Sequence, residues 1–205
     1  MESEYIVKCI GVSWRRPIDI EAVLEYMDLG DLRNYLVIHS PSQFKWCEKF
    51  QCIMGIVRGL LYLHILNSPI THRNLKSSNV LLDFNKGTKL ADFRTSHQNV
   101  NTTMVKAVWP YQWMAPEVTM GGGYSAADDI YSFGIYMIPT KYLLIADSRS
   151  FVLATIFNEK ITEGDIRPIF QENETSLILV RNNQSNRPTS LEIVTILQRV
   201  NAKFY

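Results

Sequence analysis

The stretch that decides the fold of this 205-residue chain is His72-Arg73-Asn74-Leu75-Lys76-Ser77-Ser78-Asn79. Thirteen residues after it comes Asp92-Phe93-Arg94, and the triplet Ala115-Pro116-Glu117 ends twenty-three residues after Arg94. Asp92 and Asn79 offer a carboxylate and an amide oxygen, which are the kinds of ligand that Mg²⁺ prefers.

Three further segments extend this pattern along the chain. They are Val23-Leu24-Glu25-Tyr26-Met27 before it, and Asp129-Ile130-Tyr131-Ser132-Phe133-Gly134 and Arg187-Pro188-Thr189 after it. In their order and spacing, these motifs resemble the catalytic loop, metal-binding triplet and activation-segment end of a eukaryotic protein kinase. Lys76 follows Arg73 by three positions, and a lysine at this position resembles the serine/threonine-specific, tyrosine-kinase-like group of kinases.

The resemblance implies an α+β, protein-kinase-like fold, made mainly of the α-helical C-terminal lobe with a remnant of the N-terminal β-sheet. We expect one incomplete domain over residues 1–205, with the N-lobe remnant and hinge in 1–27 and the C-lobe in 28–205. Four residues precede Tyr5, and the chain contains neither Gly-x-Gly-x-x-Gly nor Val-Ala-Ile-Lys. We therefore expect a domain that is truncated at its N-terminus.

The resemblance also assigns roles in phosphoryl transfer, a reaction that depends mostly on positioning and charge neutralisation. Asn74 stands at the position of the catalytic base, and Lys76 would neutralise the γ-phosphate. Asn79 and Asp92 would hold Mg²⁺. The implied cofactors are thus ATP and Mg²⁺, whose binding we expect to be weak or absent in this chain.

The adenine of ATP would contact residues of the hinge and the floor of the cleft. By resemblance, these are the gatekeeper Leu24, the hinge residues Glu25 and Met27, and the floor residue Leu81.

Two departures from the family pattern fall in the catalytic motifs themselves. A carboxamide at Asn74 has neither the basicity nor the negative charge of the usual aspartate. Arg94 replaces a glycine, which the backbone normally uses to turn freely. In addition, Trp109-Pro110 replaces a Gly-Thr pair near the substrate-binding loop. These changes predict a domain with degraded catalytic motifs.

The scaffold positions of the family are present, in contrast. The resemblance implies a buried salt bridge between Glu117 and Arg187, and an anchor for the catalytic-loop backbone at Asp129. His72 and Arg73 match the structural pair of that loop. We therefore expect the helical lobe to fold.

Three functions remain open at this stage. The first is a non-catalytic kinase-like domain, a pseudokinase or truncated kinase that acts in signalling by binding a partner. The second is an active serine/threonine protein kinase, if a missing N-lobe completes it. The third is the product of a decayed gene copy. Whether the chain is an enzyme is thus uncertain, although the family is one of kinases.

The composition of the chain limits the kinds of partner and the cellular compartment that we expect. Hydrophobic residues make up 46% of the chain, which excludes a disordered chain. The formal net charge is +1, so the protein as a whole has no electrostatic attraction to nucleic acid. No apolar stretch reaches the length of a membrane span. We expect a cytoplasmic protein with a protein partner, for which another kinase is one candidate. Cys9, Cys47 and Cys52 should be reduced and mostly buried.

Periodicity and turn residues predict the secondary structure. The expected strands are Tyr5–Val12 and Ile18–Tyr26, with a hairpin at 80–91, and Thr95–Ala107 reads as a loop. The expected helices are Leu32–Ile38, Phe44–Leu66, Ser125–Pro139 and Thr189–Lys203. The last two begin with capping boxes, Ser125 with Asp128 and Thr189 with Glu192.

Overall fold

The computed structural model describes residues 2–40, 43–92, 114–136 and 183–204. It has an α+β fold, as the sequence predicts. Short 3₁₀ turns occur at Pro17–Asp19, Ser77–Asn79 and Gln184–Asn186. In chain order, the strands and helices are β1 Cys9–Ser13, β2 Glu21–Leu24, β3 Gly30–Asp31, α1 Leu32–Ile38, α2 Trp46–His64, β4 Val80–Asp83, β5 Gly87–Leu90, α3 Pro116–Thr119, α4 Ala126–Tyr136 and α5 Ser190–Phe204.

The strands form two small antiparallel sheets. β1 pairs with β2, while β3, β4 and β5 form a three-stranded sheet in that order. The β4–β5 hairpin confirms the prediction for this segment, with Val80 opposite Leu90 and Asp83 opposite Gly87. Gly87 closes the turn with a φ of 73°, a left-handed conformation that glycine adopts without steric cost.

Helix α2 forms the centre of the core. Its residues Val57, Leu60 and Leu63 are fully buried. The helix approaches strand β5 closely because two of its positions are glycines. A Cβ added at Gly55 would lie 2.7 Å from Cβ of Thr88, and one at Gly59 would lie 2.8 Å from a methyl carbon of Leu90. This close contact fixes β5, and with it Asp92, against the helix that precedes the catalytic-loop segment.

Helices α4 and α5 begin where the capping boxes predict. The amide of Ala127 donates to Ser125 Oγ at 3.1 Å, and the amide of Ser125 donates to Asp128 Oδ2 at 2.5 Å. At α5, the amides of Thr189 and Glu192 each donate to the other residue's side chain, at 2.8 and 3.3 Å. Such caps satisfy amides that have no partner inside the helix.

The predicted bounds of the first two strands are wrong. The strand predicted from Tyr5 begins at Cys9, because Val7 instead donates its amide to the Leu90 carbonyl at 2.9 Å. The strand predicted from Ile18 begins at Glu21. The fixed φ of Pro17 starts a 3₁₀ turn there instead.

The long helix of the first half is shorter than predicted. It begins at Trp46 rather than Phe44, because the amide of Phe44 donates to the Ser40 carbonyl at 3.2 Å and Lys45 is the N-cap. It ends at His64, two residues before the predicted end. The segments Thr95–Ala107, Trp109-Pro110 and Arg94, and the end of the predicted helix at Pro139, lie outside the described residues.

The expectation of mostly buried cysteines is also wrong. Cys52 is buried, and burial raises the pKa of its thiol to about 12. Cys9 and Cys47 are exposed instead. Cys9 lies in a strand whose residues are all exposed, and Cys47 lies in the first turn of α2.

Candidate functional site

The carboxylate of Asp129 holds the backbone at the start of the catalytic-loop segment, residues 72–79. The amides of His72 and Arg73 donate to the two oxygens of Asp129, at 2.8 and 3.0 Å. His64, at the end of α2, contacts the same carboxylate through Nε2 at 2.9 Å. Asp129 thus anchors the loop backbone, as the sequence predicts, and through His64 it also joins α4 to α2, which the sequence does not predict.

The network around Asp129 favours an ionised carboxylate. Burial alone would raise its pKa, but hydrogen bonds from His64 and from the His72 amide hold the pKa below its ordinary value. The other ring nitrogen of His64, Nδ1, lies 3.2 Å from Ser190 Oγ at the start of α5. No sequence motif indicates this contact, because the two residues are 126 positions apart.

His72 is neutral and fixes the shape of the loop. Its Nε2 lies 3.1 Å from the Ala91 carbonyl, which can only accept, so Nε2 carries the proton. Its Nδ1 then accepts from the Asn74 amide at 3.3 Å. Burial lowers the pKa of His72, which agrees with the neutral form.

Two residues of the site have a left-handed backbone. Arg73 and Asp92 each have a φ of 63°, which is uncommon for residues other than glycine. Such conformations persist where surrounding contacts hold them, and they concentrate at functional sites. Here the Arg73 amide is held by Asp129, and the Asp92 carboxylate by the Asn74 amide group.

Asn74, Asn79 and Asp92 lie together in the structure. Asn74 Nδ2 donates to Asp92 Oδ2 at 2.9 Å. Asn79 Nδ2 donates to the Asn74 carbonyl at 2.7 Å and lies 3.5 Å from Asp92 Oδ2. The carboxamide at the base position therefore acts as a donor to the predicted metal ligand.

The donor set fits a divalent cation. Nδ2 of Asn79 donates to the Asn74 carbonyl, so the side-chain oxygen of Asn79 is the atom that would bind a metal. One carboxylate and one amide oxygen suit Mg²⁺ when phosphates supply further ligands. Asn74 Nδ2 already donates to Asp92 Oδ2, the oxygen that a cation would also contact.

Lys76 lies at the edge of this cluster and is half-buried. It is the N-cap of the 3₁₀ turn at 77–79, and its carbonyl accepts from the Asn79 amide at 2.9 Å. Its backbone thus helps to place Asn79. Its predicted contact with a γ-phosphate stays a prediction.

The predicted hinge lies between β2 and β3. Leu24 is exposed, whereas Met27 is buried and Leu81 half-buried. Glu25 Oε1 accepts from Lys89 Nζ and from the Lys8 amide, both at 2.7 Å. Burial opposes ionisation of Glu25, but these donors lower its pKa.

Sequence reasoning missed the lysines that hold this hinge. Lys89 on β5 pairs with Glu25, and Lys86 in the preceding turn contacts both the Tyr26 carbonyl and Asp83. Glu25 and Lys89 are 64 positions apart, so no local pattern joins them. Lys86 and Lys89 lie close together on the β4–β5 hairpin, but their spacing does not identify Glu25 as a partner.

Glu117 and Arg187 form the expected salt bridge. Arg187 Nη1 and Nη2 contact the two Glu117 oxygens at 2.5 and 2.9 Å, in a two-pronged arrangement. The Arg187 side chain is fully buried, and its guanidinium lies 4.9 Å from the centre of the Tyr131 ring. The pair holds α3 against the start of α5.

Asp128 introduces a second acid beside this pair. Its Oδ1 lies 3.6 Å from Arg187 Nη1, and the residue is 3% exposed. Burial, followed by a hydrogen bond to Glu117, raises the pKa of Asp128 to about 8. Asp128 was predicted only as part of a helix cap, and its contact with Arg187 was not predicted.

The comparison with protein families finds one description that fits. The profile of "Protein tyrosine and serine/threonine kinase" matches residues 1–142. None of the helices in the described ranges is both long and apolar enough to cross a bilayer.

Individual relatives are kinases of much greater length. Cysteine-rich receptor-like protein kinase 27 of Arabidopsis thaliana is 43% identical over 146 residues, 67% of this chain and 22% of the relative. Cysteine-rich receptor-like protein kinase 5 of the same plant is 29% identical over 225 residues, 96% of this chain and 34% of the relative. A relative in Acanthamoeba polyphaga mimivirus, whose name describes a serine/threonine-protein kinase/receptor, is 31% identical over 204 residues, 95% of this chain and 12% of the relative.

Proposed function

The chain belongs to the protein tyrosine and serine/threonine kinase family, and we propose that its 205 residues form a non-catalytic domain of that family. In this proposal the domain acts by binding a partner protein, and it binds Mg-ATP weakly or not at all. The three free cysteines support a reducing compartment, and with it a cytoplasmic location.

One observation carries the proposal of inactivity. Asn74 Nδ2 donates to Asp92 Oδ2 at 2.9 Å, so the side chain at the base position is a hydrogen-bond donor there. A carboxamide cannot accept the proton of a substrate hydroxyl at neutral pH. General-base catalysis is typically worth about 10² to 10⁴ in rate, and this contribution would be lost.

An active serine/threonine kinase is the second candidate, and the metal-binding geometry favours it. Asn79 and Asp92 still lie together, with the Asn79 amide nitrogen 3.5 Å from Asp92 Oδ2. Under this alternative, a separate N-lobe would complete the cleft, and Asn74 would be tolerated.

We expect restoration of the catalytic motifs alone to leave the chain inactive. The variant Asn74→Asp, Arg94→Gly regains the base and a glycine, but it gains no group that holds the phosphates. It should transfer no radiolabelled phosphate from ATP to a generic serine/threonine substrate, whereas a fusion of this variant to a complete kinase N-lobe should transfer it. Metal-dependent transfer by the wild-type chain or by the unfused double variant would contradict the proposal.

Weak nucleotide binding gives a second test. We expect a dissociation constant for Mg-ATP above about 1 mM, so 0.1 mM Mg-ATP should leave the melting temperature unchanged. At ten times the dissociation constant, a ligand stabilises by roughly 1.4 kcal/mol, which is measurable as a melting shift. Asp92→Asn is the matched variant and should abolish any shift at high Mg-ATP. A clear shift of the wild type at 0.1 mM is the result that contradicts this expectation.

A further inference from the structure

A cavity of about 740 Å³ lies along one side of helix α2. Its other walls come mainly from α1 and from the β4–β5 hairpin. Ligand pockets in proteins typically measure about 300 to 1,000 Å³. None of the described residues that line this cavity is a predicted metal or ATP contact. The cavity is therefore separate from the site described above.

The cavity is elongated along α2. Its lining includes Cys47 in the first turn of the helix and Arg58, eleven positions further on. At 1.5 Å per residue, these two positions are about 16 Å apart. Gln51 and Gly55 lie between them and also line the cavity. A ligand that uses its full length would be extended.

The cavity is apolar around the start of α2. Phe44, just before the helix, packs edge-on against Tyr35 of α1, with the ring centres 5.4 Å apart. Leu29, Met54 and Leu82 add aliphatic side chains to the wall. This part of the cavity suits a ligand group that gains free energy by leaving water.

The carboxylates that line the cavity already interact with other groups of the chain. Asp83 Oδ2 lies 2.9 Å from Lys86 Nζ. Glu48 Oε2 accepts from the Lys45 amide at 2.8 Å. Glu4 interacts with the hydroxyl of the adjacent tyrosine. These acids therefore have partners of their own in the absence of a ligand.

Arg58 provides a positive charge at the other end of the cavity. Its Nη1 donates to the Tyr5 hydroxyl at 2.9 Å, and its guanidinium lies 5.5 Å from the centre of the same ring. These contacts hold the guanidinium at the cavity wall. Within the described part of the chain, Arg58 forms no salt bridge, so its other N–H groups can donate to a ligand. The fork of a guanidinium matches the two oxygens of a carboxylate.

We propose that this cavity binds a long-chain carboxylate, with the head group on Arg58 and the alkyl chain along α2 toward Phe44. The positive charge at one end selects an anion. The apolar wall at the other end selects an alkyl chain over a peptide, whose backbone N–H and C=O groups would need partners there. Dodecanoate, fully extended, has about the length of the cavity. This ligand goes beyond the proposed function and is independent of phosphate transfer.

Calorimetric titration tests both ends of the ligand. Dodecanoate, kept below the concentration at which it forms micelles, should bind the full chain at one site. Hexanoate has the same head group but six fewer methylenes, each worth about fourfold in affinity when buried, so it should bind at least about a hundredfold more weakly. Dodecyltrimethylammonium, which has the same chain length and a positive head group, should not bind measurably.

Variants of Arg58 test the contact with the head group. Arg58→Gln removes the charge and should weaken dodecanoate binding by about tenfold or more. Arg58→Lys keeps the charge without the fork and should lose less. The matched control is Arg15→Gln, which removes an exposed arginine outside the cavity lining and should leave the affinity unchanged. Thermal melting followed by circular dichroism shows that each variant is folded.

The cysteines of the wild type report the position of the alkyl chain without any substitution. Cys47 is exposed and lines the cavity, whereas Cys9 is exposed on β1 and does not line it. At four times its dissociation constant, dodecanoate should slow the alkylation of Cys47 by iodoacetamide about fivefold and leave that of Cys9 unchanged. Hexanoate is too short to reach from Arg58 to Cys47, so it should protect neither thiol.

Three results would overturn the site. They are equal binding of dodecanoate and dodecyltrimethylammonium, a folded Arg58→Gln that binds dodecanoate as tightly as the wild type, and equal alkylation of Cys47 with and without dodecanoate. If the chain binds no dodecanoate and transfers no phosphate, the proposal of a non-catalytic domain stands and the carboxylate site alone fails. If the chain binds dodecanoate and transfers phosphate, the carboxylate site stands and the proposed function fails.

Discussion

Replacing Asp129 by alanine is expected to cost the domain a large part of its stability. The change removes the acceptor for the amides of His72 and Arg73 and for His64 Nε2, all in a buried site. Breaking one side of a buried charged network typically costs about 3 to 5 kcal/mol. For a chain of this size, each 1 kcal/mol lowers the melting temperature by about 2 to 4 °C. Circular dichroism should therefore show a fall of about 10 °C.

Two further variants show whether the stability lost in Asp129→Ala comes from the lost hydrogen bonds or merely from removal of a negative charge. Asp129→Asn keeps one oxygen as an acceptor and should lose less stability than Asp129→Ala. Asp19→Ala removes an exposed carboxylate whose partner, Arg16, is 2.7 Å away, and an exposed pair of this kind is worth about 1 kcal/mol or less. A melting temperature of Asp129→Ala close to that of Asp19→Ala would show that the anchor does not hold the loop.

Asp128→Asn is expected to stabilise the protein at neutral and alkaline pH. Oδ1 of Asp128 is buried, and in the described part of the chain it has no hydrogen-bond partner as an ionised acceptor. A proton on Asp128 supplies a donor toward Glu117, and the amide group of asparagine supplies the same donor at every pH. The variant also keeps an oxygen for the Ser125 amide, which now donates to Asp128 Oδ2 at 2.5 Å.

The sign of the pH dependence follows from the raised pKa of Asp128. In the unfolded chain, Asp128 releases its proton near its ordinary pKa of 3.8. In the folded protein, Asp128 keeps this proton until the pH approaches the raised pKa of about 8. The stability that this proton contributes is full below 3.8 and is lost as the pH rises through 8. Between pH 5 and 8, the wild type should therefore lose on the order of 1 kcal/mol per pH unit relative to Asp128→Asn.

Thermal unfolding from pH 5 to 9 measures this difference directly. Asp128→Asn should melt several degrees above the wild type at pH 8, and near it at pH 5. Asp19→Asn, at the exposed pair with Arg16, is the control and should follow the wild-type profile. Parallel profiles of the wild type and Asp128→Asn would show that Asp128 is ionised across this range.

Local signals predicted the parts of the fold that depend on neighbouring residues. The capping box of Thr189 and Glu192 spans one helical turn, so its residue types alone locate the start of α5. The turn that ends in Gly87 located the β4–β5 hairpin in the same way. Pro17 shows the limit, because a 3₁₀ turn at Pro17–Asp19 replaces the first residues of the strand that was predicted from Ile18.

Contacts between distant parts of the chain were predicted where a family pattern supplied them. The Glu117–Arg187 salt bridge joins residues 70 positions apart, and only the resemblance to kinases indicated it. The Lys89–Glu25 pair, at a separation of 64 residues, belonged to no motif and was missed. Asp128 was missed as a buried acid because its position in the capping box already explained its residue type.

The contact of His64 with both Ser190 and Asp129 has a consequence for hydrogen exchange. The amides of His72 and Arg73 are bonded to a carboxylate that is itself held between α2 and α4, while His64 extends the chain of contacts to α5. These amides can exchange with solvent only when that assembly opens. Amides in a shared cooperative unit exchange with a common opening free energy. In deuterium, the two loop amides should thus exchange as slowly as the core of α2, far more slowly than is usual for residues outside regular secondary structure.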